Sequence, residues 1–236
     1  MKQARKLDPL FKLETGEKSN LSPSRQEALK LAHVLQDIQI LVLMEPEKML
    51  FIDSMEELIR PLVNGETDIV IPERSEETMK SYPPQQAAEE KRSNKIANEI
   101  LRKAGLRTNT DEELDLWLGT RVFRNEPNTL NIFLQKYQFH PRNISLDKLI
   151  DLEKWSNAMY LPVVNALFRG FKIKGVPVHY VHPKLLTSNE LNNPITDRRR
   201  DVQQRDILTS MVEMVRYNLQ QAGQSIKPSR ITPTKS

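Results

Sequence analysis

The sequence predicts an α/β fold with a mostly parallel sheet, flanking helices and a long C-terminal helix. Three observations support this: short apolar runs typical of buried strands, longer segments with apolar residues at helical spacing, and alternation of the two along the chain. The 236 residues, 38% hydrophobic and 28% charged, are enough for a sizeable core. Residues 1–23 form a polar segment without a clear period, and residues 221–236 are predicted to be a disordered tail.

The first half of the chain predicts a strand–helix–strand unit. Two Ser-x-x-Glu capping boxes, at residues 24–27 and 54–57, each begin a predicted helix. Residues 38–44 and 68–71 are short, apolar and partly β-branched, which indicates buried strands. Because the links between these elements are short, we expect the two strands to be parallel to each other.

The second half continues the alternation. Its pattern predicts, in order, a helix over residues 85–104, a strand over 119–123, helices over 127–137 and 159–169, a strand over 172–180 and a final helix over 196–220.

Composition excludes several classes of function. The chain has no cysteine, which removes disulfides, thiolate metal sites and cysteine nucleophiles. The net charge is +4, but most of it lies near the two termini and the middle is almost neutral, so we expect no nucleic-acid binding. No apolar run is long enough to span a membrane and the N-terminus lacks the apolar core of a secretory signal, which predicts a cytoplasmic protein.

The residues that follow the first buried strand are the first candidates for a site. An open parallel sheet binds ligands beyond the carboxyl ends of its strands, and Glu45-Pro46-Glu47 lies there. Two carboxylates one residue apart suit a divalent ion that holds a diphosphate. The alternative is that these acids only favour the N-terminus of the nearby helix.

The neighbouring segments add a family resemblance. The runs ILVLMEPEK and MEELIRPLVNGETDIVIPER resemble the centre of GT-A-fold, family-2-like glycosyltransferases, in which a buried strand ends in an Asp-x-Asp metal motif. Glu45 and Glu47 stand where those aspartates are expected. The resemblance therefore implies that Glu45 and Glu47 hold Mg²⁺ or Mn²⁺ on a nucleotide-sugar donor, and that Arg74 lies near its phosphates.

A second match lies further along the chain. Asp115, Gly119 and Arg121 follow the Asp-x-x-x-Gly-x-Arg spacing of dolichol-phosphate-mannose-synthase-like members of this group. The resemblance implies that Asp115 is the base or orients the acceptor, and that Gly119 and Arg121 contribute to substrate binding. The alternative is structural, with Asp115 capping a turn and Gly119 relieving packing.

A third match ends the predicted catalytic core. The run GFKIKGVPV resembles the last strand of that core, and His182 follows it as a third candidate metal ligand by the same analogy. Arg199, within an arginine triplet, is a candidate for neutralising a diphosphate. The alternatives are a structural histidine and a solvated helix face.

Together the matches predict a GT-A-like domain over residues 24–195, truncated because only 44 residues precede Glu45. The expected function is transfer of a sugar from a nucleotide-diphosphate donor to an unidentified acceptor. The alternative is a degenerate, non-catalytic domain with a binding or assembly role. A Rossmann-like sheet without its N-terminal half leaves an exposed edge, which favours a homodimer or a partner that supplies the missing half.

Overall fold

A computed structural model of the chain describes residues 21–35, 37–137, 159–183 and 194–223. Within these ranges it does not describe the side chains of residues 21–23, 46, 47, 49, 50, 194–197 and 199. The predicted N-terminal polar segment and C-terminal tail therefore lie almost wholly outside the described residues.

The described elements are seven α-helices, four strands and two 3₁₀ helices. In chain order they are α1 (Leu21–His33), β1 (Ile40–Leu43), a 3₁₀ helix (Pro46–Ser54), α2 (Met55–Val63), β2 (Ile69–Arg74), α3 (Glu76–Lys80), α4 (Pro84–Lys103), a 3₁₀ helix (Leu116–Leu118), β3 (Arg121–Arg124), α5 (Pro127–Leu134), α6 (Leu161–Phe168), β4 (Ile173–Val178) and α7 (Pro194–Gln221). The α/β class and the long C-terminal helix are thus confirmed.

The sheet corrects the prediction of a mostly parallel arrangement. Its order is β1-β3-β2-β4, and β3 pairs antiparallel with both β1 and β2. Only β2 and β4 form a parallel pair. The strands β1 and β2 do run in the same direction, as expected from the helix between them, but β3 separates them.

The burial of β3 explains its central position. Arg121, Val122 and Phe123 are each fully buried, so this strand needs packed side chains on both faces and a neighbouring strand at both edges. A strand of that kind fits between two others, whereas β4 has two exposed residues, Lys174 and Pro177, and lies at an edge. Apolar periodicity gives the number of strands but does not give their order.

Two hydrophobic clusters cover the two faces of the sheet. One cluster includes Leu43, Ile71 and Phe123 from the strands and extends to residues of α4, α6 and α7. The other includes Val70 and Val122 and is covered mainly by α2 and the first 3₁₀ helix. In the part of the chain that the structure describes, no helix combines the length and apolar character required to cross a membrane.

The predicted capping boxes are only partly realised. Helix α1 begins at Leu21, three residues before the predicted N-cap, Ser24. Ser54 does precede α2, but its side chain makes no capping hydrogen bond. The hydroxyl that caps a helix is instead that of Ser75, which accepts a hydrogen bond from the backbone N–H of Thr78 at the start of α3.

Candidate functional site

A polar layer lies at the carboxyl ends of β1 and β2. Because β3 is antiparallel to both neighbours, its first residue, Arg121, pairs with the last residue of β1, Leu43. Against β2 the paired residues are Val70 with Val122 and Ile69 with Phe123, so the last residues of β2 extend past the start of β3. Glu45 follows β1, Arg74 ends β2, and Gly119 precedes β3. The topology therefore brings together residues that are separated by more than 70 positions in the sequence.

Glu45 is engaged by two cations. One carboxylate oxygen accepts from Arg25 Nη2 of α1 at 2.7 Å, and the other accepts from Lys48 Nζ at 2.9 Å. Lys48 also donates to the carbonyl oxygen of Leu118 at 2.9 Å. Burial raises the pKa of Glu45, but the charges of Lys48 and Arg25 outweigh burial and hold the pKa below its ordinary value. Glu45 is therefore an anion inside a cluster of cations.

Gly119 gives this carboxylate its space. Its φ of 76° lies in the left-handed region, which glycine adopts at little cost. A Cβ added there would lie 2.3 Å from Glu45 Oε1 and 2.7 Å from Met159 Cε. Glycine is thus required twice at this position, by the backbone conformation and by the close approach of Glu45.

Arg121 is a buried cation that forms no ion pair with a carboxylate among the described residues. Its side chain is 0% exposed, and its Nη1 and Nη2 donate to the carbonyl oxygens of Thr120 and Leu116 at 2.7 and 2.9 Å. Its Nε and the buried hydroxyl of Thr120 have no hydrogen-bond partner in the described part of the chain. Burial lowers the pKa of Arg121 to about 10, although Tyr160, Glu45 and Asp115 oppose this. The guanidinium therefore keeps its charge at neutral pH.

Asp115 is bound from several sides. Its carboxylate accepts from Arg74 Nε at 2.6 Å and from Arg74 Nη2 at 2.8 Å, a bidentate ion pair in which the arginine side chain is only 2% exposed. It also accepts from Asn94 Nδ2 at 2.6 Å, and Glu90 forms a second ion pair with Arg74. Burial raises the pKa of Asp115, but Arg74 and Asn94 outweigh it and lower the pKa. In this geometry Asp115 fixes Arg74 and is a weak proton acceptor.

His182 lies with aromatic residues rather than with the acids. Its ring stacks on Tyr82 with centroids 4.2 Å apart, and its backbone N–H donates to Ser81 Oγ at 2.8 Å. The Arg74 guanidinium lies over the Tyr82 ring, 5.2 Å from its centroid. His182 is thus linked to the polar layer through Tyr82 and Arg74.

Glu45, the predicted metal ligand whose side chain is described next to β1, is bound by protein cations. Arg25 and Lys48 each donate to one carboxylate oxygen of Glu45, so both oxygens are occupied. The side chain of Glu47 lies outside the described residues. In the described ranges no group of three or more His, Asp or Glu side chains is arranged to hold a metal ion. The Mg²⁺ or Mn²⁺ site at Glu45 and Glu47 remains a prediction.

The arginine triplet lies at the start of α7. Arg198 is exposed, and Arg200 donates to Gln86 Oε1 of α4 at 2.8 Å. The side chain of Arg199, the predicted member of the site, lies outside the described residues.

Several residues of the layer were not predicted from sequence, among them Arg25, Lys48 and Glu73. Arg25 and Lys48 were missed because their role is visible only through Glu45, the carboxylate they contact. Glu73, the penultimate residue of β2, was missed although the strand-end argument that selected Glu45 applies equally to it. Burial and the charges of Glu112 and Asp115 raise the pKa of Glu73 to about 7.

An open cavity of about 350 Å³ lies elsewhere, between α2 and β4. None of the predicted site residues lines it. Three of its four charged lining side chains are paired: Lys174 with Glu66, and Arg60 with Glu56, each pair at 2.9 Å. The cavity therefore offers a ligand little unpaired charge.

Comparison of the chain with protein-family models, with curated proteins and with solved structures finds no match.

Proposed function

We propose that the chain binds the diphosphate of a nucleotide-sugar at the carboxyl end of its sheet and acts as a GT-A-like glycosyltransferase. Protein cations, namely Arg121, Lys48 and Arg25, hold the phosphates in this proposal. The resemblance of three ordered segments to family-2-like glycosyltransferases supports the reaction class, and the charge of the polar layer supports the ligand class.

The observation that carries the proposal is the buried guanidinium of Arg121, which forms no ion pair with a carboxylate in the described part of the chain. A buried cation that forms no ion pair is costly, and an anionic ligand would offset that cost. Arg121 lies at the carboxyl end of the sheet, where α/β proteins bind phosphorylated ligands. Its free Nε and the neighbouring Thr120 hydroxyl add two unused donors for phosphate oxygens.

Glu45 serves as the internal anion of the cation cluster in the absence of ligand. Three cations influence this one carboxylate, so the cluster around Glu45 has an excess of positive charge. A diphosphate competes with Glu45 for Lys48 and Arg25, because phosphate oxygens offer the same charge-assisted hydrogen bonds.

The first test replaces one cation and measures nucleotide binding by calorimetry. We expect Lys48→Gln to weaken the binding of UDP and GDP about tenfold, because it removes one charge-assisted hydrogen bond. Lys30→Gln is the matched control, because Lys30 lies on the same N-terminal region but pairs with Glu27 at an exposed surface. Equal affinity in the two variants would contradict the proposal.

A second measurement separates a cation cluster from a metal site. Glu45→Gln releases Lys48 and Arg25, so we expect tighter UDP and GDP binding in the presence of EDTA, by about tenfold. Loss of a Mn²⁺-dependent affinity in the same variant would instead support Glu45 as a metal ligand and overturn the role assigned to the cations.

A non-catalytic role is the second candidate, and one observation favours it. Both oxygens of Glu45 and both oxygens of Asp115 are satisfied by internal partners, as in a polar layer kept for stability. Failure of UDP, GDP, UDP-glucose and GDP-mannose to bind at millimolar concentration, with and without Mn²⁺, would favour this binding or assembly role.

A further inference from the structure

Glu73 lies on the same face of the sheet as Arg121. Side chains alternate between faces along a strand, and Ile69, Ile71 and therefore Glu73 point to the side of the larger core cluster. Arg121 shares that side because it pairs with Leu43 of the same cluster. The polar layer thus contains two strand-end glutamates, Glu45 beyond β1 and Glu73 in β2, with the start of β3 between them.

The position of the Glu73 carboxyl group depends on a glycine. A Cβ added to Gly175 of β4 would lie 1.7 Å from Glu73 Oε1. Oε1 is buried and has no hydrogen-bond partner, while the residue as a whole is only partly buried. The carboxyl group therefore lies against bare backbone, and no donor within the described residues satisfies Oε1.

The charges that face Glu73 are mostly of its own sign. Glu112 and Asp115, from the segment between α4 and β3, repel its ionised form, and β4 contributes Gly175 and Pro177, which do not titrate. Arg107 is the facing cation, but its guanidinium donates to the carbonyl oxygens of Ile173 and Glu112. A carboxyl group in such surroundings exchanges its proton near neutral pH, which a general base requires.

We infer that Glu73 is the proton acceptor of the transfer reaction, in place of Asp115, and this inference rests on the proposed function. In the step, a new bond forms between the acceptor oxygen and the anomeric carbon as the bond from that carbon to the phosphate oxygen breaks. The hydroxyl proton passes to Glu73. The electron pair of the broken bond leaves with the nucleoside diphosphate, whose charge is met by Arg121 and Lys48. Asp115 acts as a positioning residue through Arg74.

The test uses the full chain with UDP-glucose and GDP-mannose as probes and water as acceptor, and it measures release of nucleoside diphosphate against pH. We expect Glu73→Gln to lower the release rate about 100-fold while calorimetric binding of the intact probe is unchanged. The wild-type release rate should increase with pH around pH 7, as Glu73 ionises, and the release rate of the variant should not show this increase. Glu113→Gln is the matched control, because it removes an exposed carboxylate of the same segment that pairs with Arg102, and it should keep the rate within about threefold.

Each of the remaining outcomes overturns either the role of Glu73 or the proposed function. Unchanged release in Glu73→Gln, or probe binding without release in the wild type, overturns the role of Glu73 and leaves the binding function standing. Absence of probe binding in the wild type overturns the proposed function, and Glu73 is then a structural acid. A thermal unfolding transition confirms that the Gln variant is folded, and we expect it to be so because Gln removes a charge that the site disfavours.

Discussion

Glu45 and Glu73 are the same residue type at the ends of two strands that run in the same direction, yet the charges around them are of opposite sign. Glu45 has Arg25 and Lys48 within hydrogen-bond distance, whereas Glu73 faces Glu112 and Asp115. The pKa of Glu45 is consequently lowered and that of Glu73 is raised to about 7. Burial opposes ionisation in both, so the neighbouring charges decide the direction of the difference.

One polar layer can thus contain both an anion and a proton carrier. A carboxylate with lowered pKa stays charged and competes with phosphate for cations. A carboxyl group with raised pKa holds or releases a proton near pH 7, and such divergent pairs are typical of sites that carry out acid–base chemistry. Each side chain also lies against a glycine, Gly119 for Glu45 and Gly175 for Glu73.

The largest change in stability is expected from Gly119→Ala, which disturbs the surroundings of Glu45. The new methyl group enters the space of Glu45 Oε1 in a backbone conformation that disfavours alanine, so we expect a loss of about 3 kcal/mol in the free energy of unfolding. Gly65→Ala is the control, because Gly65 has a similar φ of 73° but nothing within 4 Å of the added Cβ. It should cost about 1 kcal/mol by urea unfolding, and equal costs would show that the contact with Glu45 is unimportant.

The next effect concerns the charge of Glu45 itself. Glu45→Gln leaves Arg25 and Lys48, whose side chains are each 14% exposed, without their carboxylate. We expect the free energy of unfolding at pH 7.5 to fall by about 2 kcal/mol. At the same pH Glu73→Gln should be neutral or stabilising. Stability changes of opposite sign would confirm that neighbouring charges determine the charge state of each carboxyl group, and a loss of stability in both variants would contradict it.

The smallest effect is a dependence of stability on pH. The folded protein holds the Glu73 proton up to about pH 7, whereas the unfolded chain releases it near 4.5, so the contribution of Glu73 to stability falls as the pH rises between these values. Because the side chain is partly exposed, we expect this fall to be about 1 kcal/mol in urea titrations from pH 5 to 8. The slope should be absent in Glu73→Gln, and an equal slope in that variant would contradict the assignment.

The position of the layer was accessible from the sequence through the strand-end argument. Glu45, Gly119 and Arg121 were selected as residues at the ends of buried strands or by a spacing that resembles a known family, and they do lie together. Their roles in a reaction stay predictions. The same argument applied to the end of the second strand selects Glu73, so that omission came from following the family motif and not from a missing signal.

Apolar spacing alone locates most helices and strands, because it reflects which faces each segment must bury. The position of β3 between β1 and β2 does not follow from that spacing, since strand order depends on how both faces of every strand are covered at once in the folded molecule. The tertiary structure likewise decides which charges meet. Arg25 lies 20 residues from Glu45, and Arg74 lies 41 residues from Asp115, so neither pair follows from local spacing. The charge state of each carboxyl group depends on neighbours brought near by the fold, and for that reason composition and motif alone do not give it.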